Sequence, residues 1–323
     1  MKIARFAAGL ALLIALFYFH FIDLNDLRQV VAHPGLLIAA IAACMATIPI
    51  GGLRWHILLR SQGLMLHLWS TVRIVAIGGF FSTFLPGSAG GDIVRGVHIY
   101  QVSHGRRTGA LLSIFIDRLI GIGAFVLFGM FATLVRAPGQ YGALEYGVFA
   151  LAALFVAAIV VLFRFGHRIA QLANFFFAGR SQRLALIIDH AGQALRQYTR
   201  QWPSVLLCLA LSFVMVFLTV IGIVSIAAAM QLGGLSPLEY GIAGIYATIA
   251  NSLPFTPGGL GIGEGAFASA CVLLAPKTAG IAYGTIFLTF RCVFVISTLP
   301  GLIVYWVYPQ RAKLLVPIKR RPI

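Results

Sequence analysis

The sequence is poor in charge and poorest in acids. Only 10% of its 323 residues are charged, with 24 lysines and arginines against eight aspartates and glutamates. A soluble globular domain carries roughly 25% charged residues, so that class of protein is excluded. The four cysteines form no CxxC pair and the eight histidines show no metal-ligand spacing. We therefore expect no metal and no cofactor.

Motifs of intramembrane enzymes and of ATP-driven pumps are also missing. A presenilin-type aspartyl protease needs Gly-x-Gly-Asp, where this chain has Ala89-Gly90-Gly91-Asp92. The sequence also lacks the Gly-x-Ser-x-Gly of a rhomboid-like protease, the Asp-rich metal site of prenyl transfer and an ATP-binding P-loop. We expect that the chain is not an enzyme and that it does not hydrolyse ATP.

Apolar residues are abundant, at 60% of the chain with a mean hydropathy of +0.96. A helix needs about 20 apolar residues to cross a bilayer, whereas a membrane β-barrel shows short alternating segments. The apolar runs here do not alternate, so the sequence predicts an all-α polytopic integral membrane protein. About six runs are long enough to span: residues 3–21, 35–53, 109–135, 142–163, 204–230 and 279–306.

Two glycine-rich breaks of similar sequence interrupt the apolar chain, at residues 85–92 and 256–264. Both read Pro-Gly-x-x-Gly, then a further glycine and an acid. Gly/Pro-interrupted segments at matching places in two halves indicate a transport site. The apolar pieces that flank the breaks are too short to span: 74–85, 93–101, 238–253 and 265–275.

We therefore predict two re-entrant hairpins. Their tips comprise Pro86, Gly87, Gly90, Gly91, Pro257, Gly258, Gly259, Gly261 and Gly263. In the alternative layout the short pieces combine into two further crossings, which gives about eight spans.

The basic residues predict one orientation, with both termini in the cytoplasm of a bacterial cell and the chain in the inner membrane. If each hairpin returns to the side it entered from, only Arg28, Arg136 and Lys277 lie outside, as the positive-inside rule requires. All four tryptophans then lie at cytoplasmic membrane boundaries. The two hairpins enter from opposite sides, as in an inverted repeat. The formal charge of +16 therefore reflects topology, and we expect no nucleic-acid partner.

This layout predicts a single membrane domain over residues 1–310 and a basic cytoplasmic tail over 311–323. Pseudo-repeats of roughly 35–163 and 204–306 are joined by a cytoplasmic segment, 164–203. An apolar stripe in that segment indicates an amphipathic helix on the anionic inner leaflet, or a connector packed on neighbouring helices. The stripe consists of Leu184, Ile187, Ile188, Ala191, Leu195 and Tyr198.

Six ionisable residues remain at membrane depth. A charge at the centre of a spanning helix costs about 2.5–3.5 kcal/mol, so charges kept there usually pair or face a cavity. Three are acids and three are bases, so the set can be neutral, and the spacing i, i+3 lets Asp92 pair with Arg95. The six are Asp92, Arg95, Asp117, Arg118, Glu264 and Arg291.

We predict that these charges form a translocation site for an anionic lipid headgroup. Arg118 and Arg291 would contact the headgroup, beside two helix starts that offer free N–H groups. The acids would balance them or carry a coupling proton. In the alternative reading, Asp92 and Glu264 only complement their own helix starts, and Arg291 is a structural partner of Glu264 or Asp117.

Several of these motifs together resemble a known family, the transmembrane region of lysylphosphatidylglycerol synthase, which is flippase-like. The resemblance covers roughly residues 5–310. It implies movement of a lipid between leaflets. Full-length synthases add a soluble aminoacyltransferase domain, which this sequence lacks, so we expect no lysyl transfer. The motifs are Arg54-Trp55, Phe84-Leu85-Pro86-Gly87, Gly90-Gly91-Asp92 with Arg95, Asp117-Arg118 and 257–264.

The expected function is thus a flippase-like movement of an anionic phospholipid or related amphiphile, in envelope lipid homeostasis. The expected partners are membrane lipids, bound through an anionic headgroup, and a partner enzyme of lipid or glycan synthesis. Two alternatives stay open. One is a non-transporting accessory subunit of envelope lipid, glycan or hopanoid synthesis. The other is a lipid-modifying enzyme related to phosphatidylglycerol lysyltransferase.

Overall fold

The computed structural model describes residues 24–84, 90–103, 106–135, 143–177, 182–252, 261–276 and 283–307. Over these residues the chain is helical, and the predicted all-α class is confirmed. The predicted first span, 3–21, and the basic tail lie outside the described residues. The helices are α1 (Leu24–Ala32), α2 (Pro34–Ser61), α3 (Leu68–Phe84), α4 (Gly90–Val102), α5 (Arg107–Val135), α6 (Ala143–Phe177), α7 (Gln182–Arg200), α8 (Trp202–Met230), α9 (Pro237–Asn251), α10 (Ile262–Leu274) and α11 (Gly284–Val307).

Five helices in the described ranges are long and apolar enough to cross a membrane: α2, α5, α8, α11 and the stretch Phe149–Gly166 of α6. They coincide with five of the six apolar runs in the sequence. The chain is therefore a multi-pass membrane protein. Helix α2 runs to Ser61 rather than ending near residue 53, which matters below because Arg54 becomes part of its interior.

The glycine breaks separate four short helices. Helices α3 and α4 pack against each other as one hairpin, and α9 and α10 as a second. Helices α4 and α10 have 13 residues each, or about 20 Å at 1.5 Å per residue, against a hydrocarbon core of roughly 30 Å. Each is too short to span alone. Of the predicted tips, Pro86, Gly87, Pro257, Gly258 and Gly259 lie outside the described residues.

Local sequence explains where the second hairpin begins. Ser236 precedes α9 and accepts the backbone N–H of Glu239 through its hydroxyl, at 3.4 Å. The Glu239 carboxylate accepts the backbone N–H of Ser236 in return, at 2.6 Å. This reciprocal cap, followed by Pro237 at the first helical position, is a strong start signal for a helix.

Helix packing is symmetric between two groups of four helices. The helices correspond in pairs: α2 with α8, α3 with α9, α4 with α10, and α5 with α11. When each helix is replaced by its counterpart, every main packing contact among these eight helices becomes a contact that the structure also contains. Thus α3 packs on α11 as α9 packs on α5, while α2 and α8 form the most extensive contact between them. This is the packing that two structural repeats would produce. Helix α6, which lies in the first predicted repeat, takes no part in the exchange, and the repeat boundaries stay a prediction.

The two largest apolar clusters among the described residues lie in the interior. One contains Phe267, Tyr283 and Phe287 in the second group of helices. The other surrounds Trp55 and Ile99 in the first group. Trp55 is fully buried, and its indole N–H donates to Ser113 Oγ at 3.1 Å. Trp55 therefore does not face lipid, and its predicted place at a cytoplasmic membrane boundary stays a prediction.

Helix α7 has one end that packs on neighbouring helices and one end with an exposed apolar surface, so it has features of both alternatives given for the amphipathic segment. Leu195 and Tyr198 are buried in a cluster with Leu58, Ile116 and Cys208, so this end is a packed connector. Leu186 and Ile187 are 59% and 54% exposed. That end offers an apolar surface of the kind that lies in a membrane interface. Its contact with a leaflet stays a prediction.

Candidate functional site

A carboxylate–guanidinium pair occurs twice, at equivalent places in the two helix groups. Asp92 is in the first turn of α4 and accepts a hydrogen bond from Nη1 of Arg118 on α5. Glu264 is in the first turn of α10, and its Oε1 accepts from Nη1 of Arg291 on α11 at 2.6 Å. The paired residues are 26 and 27 positions apart in the sequence. The same pair is thus built by the same elements in each half.

The carboxylate of Glu264 has two roles. While Oε1 binds Arg291, Oε2 accepts the backbone N–H of Gly261 at 2.8 Å. Gly261 has φ 84°, a left-handed conformation that suits glycine and lets the chain turn sharply into α10. The acid therefore complements its own helix start, as one interpretation of the sequence proposed, and also pairs with Arg291, as another did.

A close approach of two backbones supports the first pair. A Cβ atom on Gly91 would lie 2.6 Å from the carbonyl oxygen of Gly78 on α3. The backbone N–H of Gly91 donates to Ser82 Oγ at 3.0 Å. Since only glycine permits this approach, the Gly90-Gly91 sequence fixes the start of α4 against α3. Asp92, the next residue, is positioned as a result.

Both ion pairs are partly accessible. The side chains of Arg118 and Asp92 are 31% and 30% exposed, and those of Arg291 and Glu264 are 17% and 15% exposed. A paired charge that is still partly exposed can exchange its partner for an incoming ion. We therefore regard the two pairs as the candidate ligand-contacting groups.

A third charged cluster is centred on a buried carboxylate. Asp117 on α5 is 2% exposed and accepts hydrogen bonds from Nε of Arg54 at 2.7 Å and Nη1 of Arg95 at 2.8 Å. Arg54 also donates to Ser212 Oγ at 2.8 Å, which connects α2 with α8. The guanidinium of Arg95 lies 5.5 Å from the centre of a Trp55 ring. Two guanidiniums on one carboxylate leave this triad with one positive charge in excess.

The triad corrects two predictions made from the sequence. Arg95 pairs with Asp117 rather than with Asp92, because Asp92 is taken by Arg118. Arg54, which was not among the six predicted site residues, belongs to this cluster, and α2 continues seven residues beyond it to Ser61. The Arg54-Trp55 motif was the one sequence feature that could have indicated a role for Arg54, and both of its residues are buried in the structure.

The second half replaces the triad with aromatic rings. The position three residues after Glu264 is Phe267, where the first half has Arg95. The position before Arg291 is Phe290, where the first half has Asp117. Phe267 and Phe290 flank Phe287, with ring centres 5.7 and 5.9 Å away. The ion pairs are therefore duplicated, and the triad belongs to one half.

Two buried polar atoms beside the hairpins have no hydrogen-bond partner within the described part of the chain. They are Arg95 Nε on α4 and Asn251 Oδ1 at the end of α9. The latter is 3.2 Å from the place a Cβ on Gly263 would occupy. An unsatisfied buried polar group costs about 1–3 kcal/mol, so each is a natural contact for a polar ligand. Over the described ranges, no three His, Cys, Asp or Glu side chains cluster as metal ligands do.

Comparison with known proteins agrees with this architecture. A search of curated proteins and a search of solved structures each found no match. A family model described as the lysylphosphatidylglycerol synthase TM region matches residues 3–301, which is most of the chain and includes every charged residue of the site. The protein therefore belongs to the family of the lysylphosphatidylglycerol synthase transmembrane region.

Proposed function

We propose that this protein moves an anionic phospholipid or related amphiphile between the two leaflets of the bacterial inner membrane, without catalysing a reaction. Family membership indicates a membrane protein with a lipid-related function. The observation that carries the finer proposal is the duplicated ion pair, Asp92 with Arg118 and Glu264 with Arg291, at the starts of α4 and α10.

The chemistry of the pair suits a phosphodiester. A guanidinium binds phosphate and carboxylate oxygens with the same planar fork of N–H donors. In the absence of lipid, the carboxylate of Asp92 or Glu264 holds each arginine in place. An arriving headgroup then exchanges with that carboxylate at Arg118 or Arg291. The start of α4 or α10 adds backbone N–H groups and the positive end of a helix dipole.

Two equivalent sites suggest how both leaflets are served. If the hairpins enter from opposite faces, one ion pair opens toward each leaflet, and lipid passes between them as the two halves rock. Many secondary transporters built from inverted repeats work in this way. The cytoplasmic location of both termini is part of this proposal. A partner enzyme of lipid or glycan synthesis would supply or consume the cargo.

Glu264→Gln and Arg291→Ala should each slow leaflet exchange about tenfold or more. Arg291→Ala removes a charge-assisted hydrogen bond, worth about 1.5–3 kcal/mol, from the contact with the headgroup, and Glu264→Gln removes the negative charge that holds Arg291 in place. The measurement uses purified protein in liposomes that contain fluorescent phosphatidylglycerol, with dithionite quenching of the outer-leaflet label. Arg196→Ala, an exposed arginine on α7, is the matched control and should exchange lipid at the wild-type rate.

The thermal midpoint of each variant separates transport from folding. Loss of exchange counts for the proposal only in a variant whose midpoint stays within a few degrees of the wild-type value. If wild-type protein fails to accelerate exchange of phosphatidylglycerol, phosphatidic acid and cardiolipin, the accessory-subunit alternative replaces the proposal. If a covalently modified lipid is released, the enzyme alternative replaces it.

A further inference from the structure

We infer that the protein has a separate phosphate-binding site in a cavity beneath α7. The cavity has a volume of about 690 Å³ and lies between the end of α2, the start of α5 and α7. This is within the size range of ligand pockets, roughly 300–1,000 Å³. Its polar lining comprises Gln62, Arg106, Arg107, His190, Gln193 and Gln197.

Two guanidiniums supply the charge. Nη1 of Arg106 donates to the backbone oxygen of Gln62 at 3.0 Å. The neighbouring Gly63, with φ 72°, makes room for this contact, because a Cβ there would overlap Nη1 of Arg106. Arg107 lies 4.2 Å from the centre of the Tyr100 ring and donates to its hydroxyl at 3.1 Å. Each guanidinium is thus held by a neutral partner through one N–H and keeps other donors for a ligand.

Neither arginine pairs with a carboxylate among the residues that the structure describes. The nearest acid on the α7 side is Asp189, which accepts a hydrogen bond from Nε2 of Gln193 at 2.8 Å. The lining therefore has two fixed positive charges, those of Arg106 and Arg107. Arg106, Arg107, His190 and Gln193 are exposed, so the cavity opens to solvent, and its positive charge favours an anion that enters from there.

The other groups of the cavity are neutral and add donors. Gln62 and Gln197 are oriented by hydrogen bonds that their amide groups donate to the backbone oxygens of Ala194 and Ser61, at 3.2 and 2.6 Å. The cavity also includes the first turn of α5, a helix of 29 residues that begins at Arg107. The positive end of its dipole adds to the attraction for an anion.

The cavity is distinct from the ion-pair site. Arg107 and Arg118 lie on the same helix, 11 residues apart, which corresponds to about 16 Å along its axis. A phosphate group bound in the cavity would connect α2, α5 and α7, which otherwise meet through Leu58, Ile116 and Leu195. Its source is either a lipid headgroup or a soluble phosphate compound, and the two are separable by experiment.

The test is calorimetric titration of the full-length protein in neutral detergent. One arm uses inorganic pyrophosphate and the other uses short-chain phosphatidic acid, with short-chain phosphatidylcholine as a zwitterionic reference of zero net charge. Arg106→Gln with Arg107→Gln should raise the Kd at least tenfold. Arg196→Gln with Arg200→Gln is the matched control, since it removes the same charge from exposed positions of α7 outside the cavity, and should change the Kd less than twofold.

A second variant tests the cavity while keeping the hydrogen bond between Arg106 and the backbone oxygen of Gln62. Gln193→Glu adds a carboxylate to the cavity from an exposed position on α7 and should weaken binding to a similar extent. Binding of phosphatidic acid alone assigns the site to a lipid headgroup. Binding of pyrophosphate as well assigns it to a phosphate group from either source. The inference is overturned if neither probe binds, or if the cavity variants and the control pair give the same Kd.

Discussion

Asp117→Asn is expected to lower the thermal midpoint on the order of 10 °C or to prevent folding. The substitution leaves the buried Arg54 and the partly buried Arg95 beside each other without the counter-charge of Asp117. Removing one partner of a buried ion pair typically costs about 3–5 kcal/mol, and in a chain of several hundred residues each kcal/mol shifts the midpoint by roughly 2–4 °C. The two guanidiniums lie 2.7 and 2.8 Å from the carboxylate that would be lost.

The measurement is thermal unfolding of detergent-purified protein, followed by intrinsic fluorescence. Asp189→Asn, an exposed acid on α7, removes the same charge and should leave the midpoint nearly unchanged. The double variant Arg54→Gln with Asp117→Asn should unfold at a higher temperature than Asp117→Asn alone, because it buries one uncompensated charge fewer. If Asp117→Asn unfolds at the wild-type temperature, the triad is not structural.

Gly301→Ala is expected to be the most damaging single-methyl change among the described helices. Gly301 lies on α11, where a Cβ would overlap the backbone carbonyl oxygen of Ala76 on α3. A backbone atom cannot move aside as a flexible side chain can, so α11 and α3 would have to separate. Overpacking of this kind usually costs about 1–3 kcal/mol, occasionally more. This contact joins the two halves, so separation also disturbs the hairpin that carries Asp92.

Gly265→Ala is the matched control for Gly301→Ala. Gly265 lies on α10, is exposed, and would place its new methyl group in open space. Alanine is favoured over glycine inside a helix by about 0.5–1 kcal/mol, so this variant should unfold slightly above the wild-type temperature. Opposite shifts for the two variants support the close contact of α11 with α3. Equal shifts would contradict it.

The helices and hairpins were predictable because their causes are local. Long apolar runs specify spanning helices, and a Pro-Gly-rich break between two short runs specifies a turn. The duplicated motif also predicted that Asp92 and Glu264 would occupy equivalent places. Glycine, proline and the first-turn acid act within a few residues of themselves, so one sequence is enough to detect them.

The partners of the charges were predicted less well because they depend on packing. Spacing along α4 favoured Asp92 with Arg95, but α5 brings Arg118 to the first and Asp117 to the second. Arg54 was not among the predicted site residues because the apolar run was taken to end at residue 53, whereas α2 continues and Arg54 contacts Asp117 and Ser212. The residues that pair in this cluster are 22 to 158 positions apart in the sequence, so their pairing depends on how the helices pack. No single-sequence pattern reports that.

The aromatic cluster of Phe267, Phe287 and Phe290 makes the two halves electrically unequal, since the first half has Arg54, Arg95 and Asp117 instead. A bilayer under voltage exerts a force on net charge, worth about 2.3 kcal/mol per elementary charge per 100 mV. The triad joins α2, α4 and α5, so movement of these three helices together along the membrane normal carries its one excess positive charge through that field. The same movement of the three phenylalanines carries no charge, so the resting potential of the cell acts on the triad and not on the aromatic cluster that stands in its place.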